Sequence, residues 1–179
     1  MVVDERHVKE LQADLDGRAT LPGEPGYEVA RTVWNAMIDR HPAVVAHCMS
    51  VADVRRALRF GREQGLDISI RGGGHNIAGN AVAEGGLMID LSAMRAVHVD
   101  PAVRRATVEP GATLGDVDRA TQVHGLAVPT GINSTTGIAG LTLGGGFGWL
   151  TRKYGMTVDQ LRSARVVTAD GQVRRTSAT

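Results

Sequence analysis

Cysteine is almost absent from this chain: among 179 residues only Cys48 carries a thiol. One cysteine makes neither an internal disulfide nor a paired-cysteine metal site, so no metal is expected and a reducing compartment fits. Cys48 ends the apolar run after Pro42, which reads as a buried structural thiol rather than a nucleophile. Aromatic residues are scarce as well, at 3%. A stacking platform for single-stranded nucleic acid needs exposed rings beside a basic groove. The 20 Lys and Arg here are balanced by 19 Asp and Glu, for a net charge of +1, and no basic tract marks a phosphate-backbone partner. Nucleic acid is therefore excluded. Long apolar runs are missing too: nothing approaches membrane-spanning length, and Met1 to His7 carries charges where a secretory leader needs an apolar stretch. The expectation is a cytoplasmic protein with no membrane partner.

Glycine, by contrast, is abundant, at 23 residues. It concentrates in two stretches, Gly72, Gly73 and Gly74 between Arg71 and His75, and Gly137, Gly140, Gly144, Gly145, Gly146 and Gly148. Lacking a Cβ, glycine lets several backbone N–H groups turn toward one anion. Tight turns alone would also use it, but two such stretches, one carrying a histidine, favour a phosphate-bearing cofactor. Neither fits GxGxxG, because Ile77 and Trp149 stand where the third glycine would be, and there is no GK[ST]. Nicotinamide dinucleotides and nucleoside triphosphates lose their weight accordingly.

The pattern between these stretches predicts a helix capped by Asp4 with Val8, Leu11 and Leu15 inward, a loop over 18–26, and a short helix from Tyr27 through Trp34 with Val29, Val33 and Trp34 on one side. A strand at 43–46 and one at 68–70 flank a helix that Ser50 and Asp53 cap, with Val54, Ala57, Leu58 and Gly61 on its inner face. That order implies a right-handed parallel crossover, with the first glycine loop at a strand's carboxyl end, where ligands of α/β sheets collect. Residues 86–91 form a further strand. Alternation at 97–99 and 105–108 predicts antiparallel strands, Thr113 caps a helix to about His124, and 164–168 with 173–176 read as a hairpin.

The order and spacing of Tyr27 to Asn35, the 71–76 loop, Gly86 to Ser92, Glu109 to Ala112, Gly137 to Trp149, Lys153 to Gly155 and Val166 to Gly171 resemble one known domain. It is the FAD-binding domain of the vanillyl-alcohol oxidase or PCMH-type flavoproteins, and within them of the berberine-bridge-enzyme-like oxidoreductases, over residues 27–179. The resemblance implies an α+β fold, a small parallel α/β subdomain plus a mixed, mostly antiparallel sheet with helices. It divides the chain into an N-terminal helical segment, 1–38, and an FAD-binding domain, 39–179, with subdomains at about 39–93 and 94–179, ending before any substrate domain.

By the same resemblance, Arg71, Gly72, Gly73, Gly74 and Asn76 surround the FAD pyrophosphate, and His75 attaches to the 8α-methyl of the flavin. Thr136, Gly137, Gly140, Gly144, Gly145 and Gly146 supply further donors, with Ser134 and Thr135 beside them. Val166 and Val167 lie where such proteins hold the adenosine. Many relatives add a second tether from a cysteine just upstream of the second loop. Residues 131–136 have none, so a single link through His75 is expected. The implied reaction is oxidation of an alcohol or sugar-like carbon by hydride transfer to flavin N5, with dioxygen as acceptor. No catalytic residue is assigned: His98 and His124 read as a strand-surface group and a helix-end charge. The other reading is a non-catalytic flavin-binding fragment, or half of a split enzyme that associates with itself or a complementing chain.

Overall fold

The structure is a computed structural model and describes residues 3–177. Its centre is a four-stranded sheet of β1 (Arg18–Thr20), β2 (Val44–His47), β3 (Ile68–Arg71) and β4 (Leu87–Asp90), in the order β1-β2-β4-β3. β4 runs parallel to both β2 and β3, while β1 adds antiparallel to β2. Between β2 and β3 the chain passes through α3 (Val51–Glu63), and β4 then inserts between the two strands.

Side chains alternate across a strand, and here both faces are covered. Val44, Ala46, Leu87 and Ile89 pack with Val8, Leu11 and Leu15 from the segment of α1 (Glu5–Asp14) and with Ala57 and Phe60 of α3. Val45 and Met88 face the other way, onto Tyr27 and Ala30 of α2 (Tyr27–Arg31), Val33, Ala81 and Val82. Burial on two faces explains why these strands read as unbroken apolar runs. Cys48 belongs to the first of these cores, and burial pushes its thiol up to about 12. Such a thiol stays protonated and inert.

The expected caps form. Asp4 accepts from Arg6 N at 2.8 Å, Ser50 from Asp53 N at 3.1 Å, and Thr113 and Asp116 close a reciprocal capping box on α4 (Leu114–Gln122). Asp53 does more than pair with Ser50. Its fully buried carboxylate accepts from the backbone N–H of Asp16 (2.9 Å), Gly17 (3.2 Å) and Met49 (2.9 Å), and from Arg56 (3.2 Å). One side chain thus ties the start of α3 to the turn before β1.

Three local expectations need correction. Arg18–Thr20 is a strand rather than loop, held by its pairing with β2. The second helix stops at Arg31, because Thr32 is extended and its hydroxyl donates to the carbonyls of Glu28 (2.8 Å) and Val29 (2.9 Å). With the helix ended there, Val33 is buried but Val29 and Trp34 are exposed. The second glycine stretch is not one loop: it contains α5 (Ile138–Leu143).

In the second half, β5 (Val97–Asp100) and β6 (Arg105–Val108) form one antiparallel ribbon, and β7 (Ser163–Val167) with β8 (Val173–Ser177) forms another. The expected antiparallel part is therefore two separate ribbons. A core of its own joins Ala112, Leu114, Val117 and Ile138, with Val97, Val108, Val128 and Leu141 against it. α6 (Thr151–Tyr154) and a single turn of 3-10 helix at Val158–Gln160 lead to β7. The β7–β8 ribbon docks on α3, where Arg55 donates to Gly171 O (2.9 Å) and Arg62 to Ala169 O (2.8 Å).

Candidate functional site

The first glycine loop leaves the carboxyl end of β3, and the second stretch begins where the chain crosses the N-terminus of α4. Gly115 N donates to Ser134 O and Leu114 N to Thr136 O, each at 2.9 Å, and Ile138 N donates to Ala112 O at 2.9 Å. Residues 134–138 are thereby strapped to the second core and face the first loop across a seam.

At that seam the backbones touch. A Cβ on Gly73 would lie 2.7 Å from Gly137 Cα, and one on Gly137 would lie 2.9 Å from Gly73 Cα. Real Cβ atoms do not approach backbone so closely, so both positions require glycine. Gly72 is also tight, its notional Cβ falling 3.0 Å from Pro110 O, and Gly74 is buried with φ +70°. Among the described residues, the N–H groups of Gly72, Gly73, Gly74, His75 and Asn76 donate to no protein acceptor, nor do those of Gly137, Ala139 and Gly140. Buried or half-buried backbone donors are normally paired. Two adjacent runs of unspent donors suit a polyanionic ligand such as a pyrophosphate.

His75 is half-buried in this seam. Its ring stacks on Trp34, with centroids 5.4 Å apart and planes 22° apart, while Trp34 N donates to Gly74 O at 3.0 Å. Nε2 lies 2.9 Å from Thr135 Oγ1, whereas Nδ1 has only Thr136 Oγ1, at 3.5 Å. Burial lowers the His75 pKa from its usual 6.5. No carboxylate contact opposes that shift, so near neutral pH the ring is uncharged and able to act as a nucleophile.

The remaining candidates are placed less uniformly. Arg71 lays its guanidinium beside Gly74 and pins the loop to α2 by donating to Ala30 O at 2.5 Å, while its buried Nε donates to no acceptor among the described residues. Asn76 is exposed, and its side chain accepts from Asn80 N at 3.1 Å. Ser134 and Thr135 are exposed and Thr136 half-buried beside the loop. Gly140 has open space around it. Gly144, Gly145 and Gly146 lie beyond the far end of α5, about 9 Å of helix from Gly137. Gly145 and Gly146 have φ of +100° and +72° and pack under Met156 and Thr157. Val167 sits half-buried in the β7–β8 ribbon against α3, outside the His75 cluster. His98 and His124 are exposed. Among the described residues no group of His, Cys, Asp and Glu could hold a metal, and no helix is long and apolar enough to cross a membrane.

Two contributors to the cluster escaped sequence reasoning. Trp34 was expected on a helix face, not against His75. Asn133 lies within the cysteine-free stretch 131–136, where an Asn two residues before a Thr is a turn signal in its own right. Near the second stretch, Leu143, Phe147 and Trp149 are 82%, 76% and 86% exposed.

A family model described as an FAD binding domain matches residues 42–177. (R)-6-Hydroxynicotine oxidase of Paenarthrobacter nicotinovorans is 37% identical over 159 residues, covering 89% of this chain and 35% of that protein. Among solved structures, 6-hydroxy-D-nicotine oxidase from Arthrobacter nicotinovorans superposes with a TM-score of 0.89 at 37% identity, over 91% of this chain and 36% of that one. Glucooligosaccharide oxidase from Acremonium strictum, whose FAD is described as 6-S-cysteinyl, 8α-N1-histidyl, also gives 0.89, at 31% identity over 96% of this chain and 36% of that one. The chain thus spans little more than a third of these relatives.

Proposed function

The chain belongs to the FAD binding domain family, with the PCMH-type fold of its structural relatives, and on that premise we propose that it is the cofactor-holding part of an FAD-linked oxidoreductase, with the FAD pyrophosphate laid along the seam between Gly72–Asn76 and Gly137–Gly140. The observation that carries this reading is the backbone contact of Gly73 with Gly137, flanked on both sides by N–H groups without protein acceptors. The donor set fits a diphosphate: many neutral N–H groups at short range and no acidic side chain among the contacts of the loops. The hydroxyls of Ser134, Thr135 and Thr136 line the same edge, and Val166 and Val167 are assigned to the adenosine end.

Bound FAD would supply a two-electron acceptor for a substrate C–H bond. What the chain's residues do is bind and orient it. His75, neutral and held by Trp34 and Thr135, is the attachment point for the flavin 8α carbon. Residues 131–136 hold no cysteine, and Cys48 is sealed in the first core, so the link is single. For the whole protein the reaction is oxidation of an alcohol or sugar-like carbon by hydride transfer to N5, with dioxygen as acceptor. A second reading, in which this chain binds flavin but works only with a complementing polypeptide, is favoured by the exposed apolar side chains of Leu143, Phe147 and Trp149.

Acid precipitation tests the cofactor assignment. Flavin is expected to remain in the pellet of the native protein and to move to the supernatant in His75→Ala, which still binds FAD reversibly. Protein that takes up no FAD, either as purified or after reconstitution, would overturn it.

A further inference from the structure

We propose that Asn133 and Thr135 are positioning residues that fix the neutral tautomer of His75, placing its proton on Nε2 and its lone pair on Nδ1, and so select Nδ1 as the atom that bonds to the flavin. This inference rests on the covalent role given to His75 above.

The assignment follows from a chain of donors and acceptors. Thr135 N lies 3.0 Å from Asn133 Oδ1. A backbone N–H only donates, so the side-chain atom it meets is the amide oxygen, and the orientation of the amide is set. Thr135 Oγ1 lies 2.9 Å from the same oxygen. An amide oxygen only accepts, so the single hydroxyl proton of Thr135 is spent on Asn133. What Thr135 offers His75 is therefore a lone pair. His75 Nε2, 2.9 Å away, must carry the proton that meets it. The opposite tautomer would set two lone pairs against each other at that distance.

In a neutral imidazole with Nε2 protonated, Nδ1 keeps its lone pair in the ring plane. Its nearest hydroxyl, Thr136 Oγ1 at 3.5 Å, is at the limit of a hydrogen bond, so little holds that lone pair back. Trp34, stacked on the ring face, limits its tilt. Burial adds to the effect by disfavouring the imidazolium, which has no lone pair.

The bond formed is Nδ1 to the 8α carbon, and the bond broken at that carbon is one C–H. The imidazole then gives up the Nε2 proton toward exposed Thr135 and solvent. The methyl carbon likewise loses one proton to solvent, so the ring keeps the two electrons of the broken C–H bond and takes up two protons from solvent, and dioxygen removes both electrons and both protons as hydrogen peroxide. Without the Asn133–Thr135 pair the proton can sit on either nitrogen, and the attacking population shrinks.

The test is the nitrogen-15 NMR pattern of the His75 ring in cofactor-free protein at neutral pH, with His75→Ala identifying the signals. The wild type is expected to show a protonated Nε2 and an unprotonated Nδ1. Asn133→Ala frees the Thr135 hydroxyl to donate, so the pattern should reverse toward a protonated Nδ1. Thr135→Val should give a mixture, and Thr135→Ser should restore the wild-type pattern. Covalent FAD incorporation, measured per reversibly bound FAD so that any change in affinity is separated from attachment, should slow about five- to tenfold in Asn133→Ala and Thr135→Val, matching one hydrogen bond of ordinary strength. A protonated Nδ1 in the wild type, or a pattern unmoved in Asn133→Ala, overturns the inference. If no variant takes up FAD, the cofactor reading falls, but the ring pattern still decides the tautomer.

Discussion

Replacing Gly73 with alanine is expected to abolish FAD uptake while leaving the sheet folded. The added methyl would fall on the backbone of Gly137, within 2.7 Å of its Cα. Backbone cannot rotate aside as a flexible side chain would. Gly137 is also fixed from behind by the bonds that Thr136 O and Ala112 O accept from Leu114 N and Ile138 N. The loops must therefore part, at a cost of about 1–3 kcal/mol in line with overpacking elsewhere. More important for binding, the two runs of N–H donors no longer converge on one ligand. Flavin fluorescence titration measures the loss and thermal denaturation the modest destabilisation. Gly140→Ala, which meets nothing within 4 Å inside α5, should leave the melting temperature unchanged or slightly raised, since alanine is the better helix former. A Gly73→Ala protein that binds FAD as tightly as wild type would remove the seam from the account of binding.

Asp53→Ala should have the largest effect on folding, about 3–5 kcal/mol, because it strips the acceptor from three backbone N–H groups and leaves Arg56 without its buried partner. Burial alone would raise the Asp53 pKa, but the N–H groups of Met49, Asp16 and Gly17, helped by Arg56, outweigh it and hold the carboxyl below the ordinary 3.8. Asp90 and Asp116 behave in the same way. Burial opposes them too, yet His47, Arg71 and Ser92 lower the first, and Thr113 and Arg95 hold the second well down. A depressed folded pKa means that the native state binds protons less readily than the unfolded chain. The stability these groups contribute is therefore complete above 3.8 and lost as pH falls through their lower folded values. Urea midpoints taken from pH 7 downward should ease below about pH 6.5, where the unfolded chain takes up a proton that folded His75 resists, and fall steeply below about pH 5 as the carboxylates protonate. In Asp53→Ala the curve should start lower and fall less. A variant that loses under 1 kcal/mol would show that water or a neighbour can satisfy those N–H groups.

What was legible in the sequence is mostly what is local. Asp4, Ser50 and Thr113 announced their helices because a cap bonds to a residue two or three positions on. The runs at Val44–His47 and Leu87–Asp90 read as strands because both of their faces are buried. β1 was missed because Arg18, Ala19 and Thr20 carry little strand signal of their own, and the pairing comes from distant β2. α5 was hidden by its flanking glycines. It is held by the Ala112 strap and by Ile138 and Leu141 in the second core, which outweigh the poor helix propensity of Gly140. Within the site, the Arg71–Asn76 loop was visible as a glycine cluster around a histidine. The company that His75 keeps was not, since Trp34 and Thr135 reach it only through the folded chain, and Asn133 touches Thr135 rather than the ring.

The loops that meet at Gly73 and Gly137 are rooted in different hydrophobic cores, one around the four-stranded sheet and one around α4. A cofactor held by both makes the opening of either half depend on the other. Binding to the native state alone adds RT ln(1 + [L]/Kd) to its stability, and here that increment is shared between two units that would otherwise open separately. Flavin is then a strut of the fold as well as its reagent: saturation should slow deuterium exchange in α4 and in β4 together, merging two local opening events into one cooperative transition.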